Sequence, residues 1–147
     1  MLIRPSNKKN KMKKNILIVG SSGAIGSEFT RFYSNDSDVE KIVTLSRKAN
    51  DSGHKKIQSI EFDYSKEDTF ENLDQIFQLE TVSTIIIATG ILHTDEIKPE
   101  KSLDVINSEG LKKIFQVNVF GPILLVKNLL PLIKKSQGVK IVFLTAR

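Results

Sequence analysis

Three glycines, Gly20, Gly23 and Gly26, form the part of this sequence whose residue types and spacing are best suited to chemistry. The apolar run 16–19 leads directly into them, and a helical pattern begins at Ala24. A strand that turns through glycines into a helix lets the backbone approach a phosphate closely, because no side chain blocks the way. The helix N-terminus then offers N–H groups and a partial positive charge. The stretch predicts a phosphate-binding turn; close packing of helix on strand is the alternative role of the glycines.

Composition excludes several other classes of site. The sequence has no cysteine and two well-separated histidines, so we expect no disulfide, no thiolate chemistry and no metal site. The net charge of +5 comes from residues 1–14, which hold six bases and no acid, whereas the rest has 16 bases against 17 acids. We therefore expect a disordered basic leader at 1–14, and nucleic-acid binding is not expected. No apolar run approaches the ~20 residues of a membrane span, which favours a cytoplasmic protein.

Alternating strand and helix patterns position the glycine turn within a larger sheet. Strands are predicted at 16–19, 41–45, 57–63, 82–88 and 140–145, and helices at 24–34, from Ser65 onward and over 108–135. This alternation predicts right-handed crossovers and an α/β fold with helices on both faces of the sheet. We expect a doubly wound parallel sheet of five strands in the order 3-2-1-4-5.

Local patterns in the first two helices predict how each begins and which side it buries. Ile25, Phe29 and Phe32 fall at helical spacing and are expected on the inner face of the first helix. Ser65 and Asp68 have the spacing of a capping box, which predicts that the second helix begins at Ser65.

The long helix predicted over 108–135 has two unusual features. It is apolar nearly all round, so it needs cover on more than one side. Pro122 and Pro131 should bend or interrupt it, because proline lacks the N–H of the helical ladder. Asn118 is unfavourable in a helix interior, and we expect its side chain to pair with backbone at the bend before Pro122.

Four motifs in order resemble those of the short-chain dehydrogenase/reductase family, closest to its C-factor-like branch. They are the glycine turn 20–26, Asp63 after the third strand, 88–90 (Ala-Thr-Gly) after the fourth and 118–122 (Asn-Val-Phe-Gly-Pro) in the long helix. The resemblance covers residues 15–147 and implies a Rossmann-like domain that binds a nicotinamide dinucleotide. It also implies that the intact relative reduces a carbonyl or oxidises an alcohol by hydride transfer.

The resemblance implies a set of cofactor-binding residues. They are Gly20, Ser21, Ser22, Gly23, Ala24, Ile25, Gly26, Arg47, Asp63, Ala88, Thr89 and Gly90. The two serines would bind phosphate oxygens or only form the turn. Asp63 would contact the adenine amino group or act as a turn former, and the backbone of 88–90 would line a ribose. Arg47 suits the 2′-phosphate of NADP, where an acid would suit NAD; its alternative role is a solvated loop charge.

Three departures from the family pattern bear on mechanism. The glycines occupy relative positions 1, 4 and 7 rather than 1, 5 and 7, with Ala24 at a usual glycine position. Ala88 replaces an asparagine, which removes a family hydrogen bond that braces the central strand. Neither Tyr33 nor Tyr64 has a lysine four residues later, as the family's Tyr-x-x-x-Lys requires. Only Asn118 matches the catalytic Tyr, Lys, Ser and Asn, so we expect the chain to be inactive alone.

Three functions stay open at this point. The first is an NADP-binding chain of this family that is truncated and resembles only the N-terminal, cofactor-binding half. The second is a non-catalytic dinucleotide-binding or interaction module, and the third is a non-functional remnant of a disrupted gene. In the third, the fifth strand would be an uncovered apolar edge that promotes aggregation. The apolar face of 108–135 also offers a surface for a homodimer.

Overall fold

The computed structural model describes residues 13–49, 52–92 and 101–145. Five strands form one parallel sheet in the order β3-β2-β1-β4-β5. They are β1 Lys14–Val19, β2 Val39–Ser46, β3 Ile57–Glu61, β4 Thr84–Ile87 and β5 Lys140–Phe143. This arrangement confirms the predicted fold. Residues 1–12 of the predicted leader lie outside the described residues. Its last residue, Lys14, is the first residue of β1.

Helices cover both faces of the sheet. They are α1 Ala24–Ser34, a 3-10 helix Glu67–Gln78, a 3-10 turn Leu103–Val105, α2 Ser108–Phe115, a π-helical segment Gln116–Phe120, α3 Gly121–Asn128 and α4 Leu130–Lys135. The 3-10 helix, α3 and α4 pack on one face, and α1 packs on the other. None of these helices has the length and apolarity that crossing a membrane would require.

The core is divided by β1, whose side chains are buried on both faces of the sheet. Leu17 and Val19 point to the side of the 3-10 helix, whereas Ile16 and Ile18 point to the side of α1. All four side chains are at most 1% exposed. A parallel strand between two covered faces has this pattern, which explains the apolar run before the glycines.

The predicted inner face of α1 is wrong in two of its three residues. Ile25 is 59% exposed and Phe32 is 65% exposed, whereas Phe29 and Tyr33 pack on the core. The reason is that Gly26 is buried against the turn. Its position sets the rotation of the helix, so residues three and seven positions later face the sheet.

The predicted capping box is also wrong. The Ser65 N–H bonds to Asp63 Oδ1 at 2.9 Å, and the 3-10 helix begins only at Glu67, after an N-cap Lys66 without a side-chain bond. A different side-chain bond forms at this helix start: Thr69 Oγ1 accepts from the Asp63 N–H at 3.1 Å. Asp63, two residues after the end of β3, therefore organises this helix start through its own backbone and carboxylate.

Two interruptions divide the predicted long helix, as its prolines require. A π-helical segment ends immediately before Gly121-Pro122, and Leu129 breaks the helix before Pro131. A proline cannot donate to the carbonyl four residues earlier, so the ladder opens at both places.

The apolar residues of α2, the π-helical segment and α3 are left partly uncovered. Phe115, Phe120 and Ile123 are 47%, 51% and 59% exposed. Val142 and Phe143 on β5 are 39% and 46% exposed, and within the described residues β5 pairs only with β4. The uncovered surface predicted for this helix is therefore present in the structure.

Candidate functional site

The first glycine of the turn adopts a backbone conformation that other residues rarely take. Gly20 has φ +84°, its N–H donates to the Leu45 carbonyl at 2.8 Å, and its carbonyl accepts from the Gly23 N–H at 3.1 Å. A Cβ at this position would stand 2.9 Å from the backbone of Ala88 and 3.0 Å from Thr89 Cγ2. The turn is therefore pressed against the segment that follows β4, which only glycine permits.

The last glycine of the turn brings α1 onto the strand. A Cβ on Gly26 would overlap the carbonyl oxygen of Gly20, whereas one on Gly23 would meet that oxygen at an ordinary 3.4 Å. The first helical bond runs from the Ser27 N–H to the Gly23 carbonyl at 2.9 Å. The amides of residues 24–26 precede this bond and have no intrahelical partner, so they form a site suited to an anion.

A cleft of about 400 Å³ opens at the carboxyl edge of the sheet. Its lining includes eight of the predicted cofactor residues: Gly20, Ser22, Gly23, Arg47, Asp63, Ala88, Thr89 and Gly90. Ser21 lies in the turn, and Ala24, Ile25 and Gly26 form the first turn of α1, next to the lining rather than in it. Asn118 also lies outside the lining.

Several lining residues were not among the predicted site residues. Ser46, Tyr64, Ser65, Ile91, Lys113 and Val117 also face the cleft. Ser46 ends β2, and Tyr64, Ser65 and Ile91 lie in the loops within four residues after β3 and β4, so their position at the carboxyl edge of the sheet could have identified them. Lys113 and Val117 carry no such signal, because their orientation depends on how α2 and the π-helical segment pack.

Polar contacts hold two of the predicted residues at the cleft. The Ser46 hydroxyl donates to the Lys48 carbonyl at 2.8 Å, which fixes the turn that carries the exposed Arg47. Asp63 lines the cleft, and its Oδ1 also accepts from the Ser65 N–H. The turn-forming role of Asp63 is therefore observed, and its cofactor contact stays a prediction.

Tyr64 is a buried phenol at the inner side of the cleft. Its hydroxyl lies 3.1 Å from Thr89 Oγ1, and its ring packs against Gly121 of α3. Burial raises the pKa of Tyr64 to about 12, although the bond to Thr89 acts in the opposite direction. The phenol therefore keeps its proton at neutral pH and is a poor general acid.

The π-helical segment ties two cleft loops together. Asn118 Nδ2 donates to the Ile91 carbonyl, and Asn118 Oδ1 accepts from the Ile91 N–H, both at 2.8 Å. Gln116 Nε2 donates to the Tyr64 carbonyl at 2.9 Å. Asn118 does pair with backbone, as expected, but with the loop after β4 rather than with its own helix.

Acidic, histidine and cysteine side chains do not gather into a metal site in the part of the chain that the structure describes. No group of three or more is placed to hold an ion there. The chemistry of the cleft is thus that of backbone amides, hydroxyls, two cations and one carboxylate.

Comparison with protein families finds one match over nearly the whole chain. The profile of the short chain dehydrogenase family matches residues 14–147. No curated protein sequence matches.

Solved structures with the same fold come from bacteria, yeast and animals. A short chain dehydrogenase family protein from Francisella tularensis is 23% identical with a TM-score of 0.72, and the match covers 89% of this chain and 50% of the Francisella chain. A short-chain dehydrogenase/reductase from Saccharomyces cerevisiae is 20% identical, with a TM-score of 0.76 and coverages of 90% and 53%. The NADPH-bound carbonyl reductase from chicken fatty liver is 16% identical, with a TM-score of 0.69 and coverages of 84% and 49%. The chain thus spans about half the length of these structures.

Proposed function

The chain belongs to the short-chain dehydrogenase family, and on that premise we propose that it binds a nicotinamide dinucleotide, with a preference for NADP(H), in the cleft at the carboxyl edge of the sheet. The main support is the contact between Gly20 and Gly26, which packs the first turn of α1, with the amides of 24–26, closely on the glycine turn beside the cleft. The resemblance of the whole motif series supports the same cofactor.

Each part of the cofactor has residues in the cleft that suit it. The pyrophosphate would lie over the glycine turn, with the amides of residues 24–26 and the Ser22 hydroxyl as donors. Arg47 would pair with the 2′-phosphate, because a guanidinium binds phosphate oxygens in two places at once. Asp63 would accept from the adenine amino group, and the backbone of 88–90 would border a ribose. Arg47 is the residue on which the preference for NADP over NAD depends.

We further propose that the 147-residue chain does not catalyse turnover by itself. When bound, the nicotinamide supplies a hydride, and the reaction also needs a proton donor at the substrate oxygen. Tyr64 does not suit this role, because it is buried against Gly121 with a pKa raised to about 12. Asn118, the predicted catalytic residue, uses both ends of its amide on Ile91. A small carbonyl or alcohol would be the substrate of the intact relative, and the cytoplasm its compartment.

Fluorescence titration with NADPH tests the cofactor proposal. We expect saturable binding by the full chain, displacement by NADP, and no displacement by the same concentration of ATP, a polyanion without the nicotinamide half. Absence of saturable binding by a monodisperse sample would contradict the proposal. Steady consumption of NADPH with a carbonyl substrate would contradict the proposed inactivity.

The exposed apolar face also supports a homodimer through residues 108–135. Burying large side chains such as Phe120 and Ile123 would remove apolar surface from water in two copies at once. We expect Phe120→Lys to shift the chain toward monomer in sedimentation velocity at a fixed concentration. Phe32→Lys is the matched control, because Phe32 is 65% exposed on α1, at the opposite face of the sheet. Equal effects of the two variants, or a monomeric parent, would argue against this interface.

A further inference from the structure

We propose that Tyr64 is a positioning residue of the cofactor cleft: its hydroxyl holds the Thr89 side chain in the orientation that packs on the glycine turn, and so replaces the brace that Ala88 cannot provide. The proposal depends on the cofactor binding proposed above for its effect on affinity. Its structural part concerns the free protein.

The two branches of the Thr89 side chain contact different parts of the site. Oγ1 lies 3.1 Å from the Tyr64 hydroxyl, and Cγ2 lies 3.0 Å from the point where a Cβ on Gly20 would stand. Both atoms are attached to one Cβ, so the bond that fixes the hydroxyl also fixes the methyl. A rotation of χ1 to another staggered well would move the hydroxyl away from Tyr64 and would move the methyl relative to Gly20.

Tyr64 is itself held rigidly enough to serve this purpose. Its carbonyl accepts from Gln116 Nε2 at 2.9 Å, and its ring meets the Phe62 ring edge-on at a centroid distance of 5.3 Å. A Cβ on Gly121 would stand 2.6 Å from Tyr64 Cδ1, so the ring fills the space that this glycine leaves. The residue is 7% exposed. The hydroxyl therefore has a fixed position between the loops that follow β3 and β4.

The supported segment forms one wall of the cleft. At one end, the Ala88 N–H continues the sheet by donating to the Val19 carbonyl at 2.8 Å. At the other end, Asn118 holds the backbone of Ile91. Thr89 and Gly90 lie between these anchors, and the bond from Tyr64 reaches this middle part. The asparagine usual in the family at position 88 would brace the central strand that leads into this segment, and Ala88 lacks that side chain.

The expected size of the effect follows from the rotamers of threonine. Without the bond, the upper limit is equal population of all three staggered wells, which would leave the competent orientation in about one third of molecules and raise the apparent Kd by at most about threefold. Tyr64→Phe keeps the ring and Thr89→Val keeps the shape, so both remove the bond with little change in volume; each also leaves the partner hydroxyl without this bond, and the double variant removes both hydroxyls.

The test is a double-mutant cycle on NADPH affinity. We expect Tyr64→Phe and Thr89→Val each to weaken binding measurably, by at most about threefold, and the double variant to be no weaker than either, because all three lack the same bond. Tyr33→Phe is the matched control and should leave the affinity unchanged, since Tyr33 packs with α1 on the other face of the sheet. Additive losses, or a parental affinity in both single variants, would overturn the proposal.

Amide hydrogen exchange in the free protein separates this inference from the cofactor proposal. We expect faster exchange at Ala88 and Ile91, whose N–H groups donate to Val19 and Asn118 at the two ends of the segment, in Tyr64→Phe and in Thr89→Val than in the parent or in Tyr33→Phe. If the parent binds no NADPH, the cofactor proposal fails and the exchange rates alone decide this one. Unchanged exchange at Ala88 and Ile91 in both variants would overturn it. If Tyr64→Phe does not fold, Thr89→Val carries both measurements.

Discussion

Replacing Gly26 by alanine is expected to lower the free energy of unfolding by about 3 kcal/mol or more, the upper part of the range for overpacked sites. The added Cβ would overlap the carbonyl oxygen of Gly20 and stand 3.0 Å from Ser21 Cα. Both are backbone atoms, and the Gly20 carbonyl is already held by the Gly23 N–H. Since neither can rotate away as a side chain could, α1 would have to move off β1. Urea denaturation followed by circular dichroism measures the loss.

Gly23→Ala is the matched control, three residues earlier in the same turn. Its Cβ would meet the Gly20 oxygen at 3.4 Å, an ordinary contact, and its φ of −79° and ψ of 161° suit any residue. We expect this variant to change the free energy of unfolding by less than about 1 kcal/mol, as for a substitution without strain. A Gly26→Ala protein as stable as Gly23→Ala would show that the close contact of helix and turn is not required.

Exchanging Arg47 for glutamate is expected to weaken NADPH binding roughly 10- to 150-fold, the factor that corresponds to losing hydrogen bonds to a charged group. The guanidinium would be replaced by a carboxylate that repels the 2′-phosphate. NADH, which has a ribose hydroxyl at that point, should bind at least as well as before, because an acid after the second strand accepts from it. The ratio of the two Kd values, measured by titration at fixed ionic strength, reports the change.

Lys48→Glu makes the same charge change one residue later and serves as the control. Lys48 is exposed and does not line the cleft, whereas Arg47 does. We expect Lys48→Glu to lower NADPH affinity only slightly, because salt screens the repulsion between an exposed carboxylate and the cofactor phosphates. Equal losses in the two variants would mean that Arg47 acts as a surface charge, and an unchanged ratio of Kd values would remove the basis for preferring NADP.

The sequence predicted the sheet well because each strand signal was local. The apolar run before Gly20 marks a strand covered on both faces, and the run at 84–87 marks its neighbour. The spacing of Gly20, Gly23 and Gly26 predicted a turn that the structure contains, with the close approach at Gly20 and Gly26 that side chains would prevent.

The failures came where several nearby residues could fill the same local role and packing decided between them. Helical spacing made Ile25 and Phe32 apolar candidates for the core, but the Gly20–Gly26 contact rotated α1 so that Phe29 and Tyr33 face the sheet. The spacing of Ser65 and Asp68 fitted a capping box, yet Asp63 and Thr69 formed the helix start instead. Propensity and spacing identify the candidate partners along the chain, but they do not decide which of these competing contacts forms.

The sequence by itself determined the order of the elements, the glycine turn, the base that follows β2 and the lack of a Tyr-x-x-x-Lys within the 147 residues. Only the tertiary structure decided that Tyr64 bonds Thr89, that Gln116 holds the Tyr64 carbonyl and that Asn118 holds Ile91. These pairs lie 25 to 52 residues apart along the chain. Their contacts arise because parallel strands end at one edge of the sheet, where the helix interrupted before Pro122 passes over the loops.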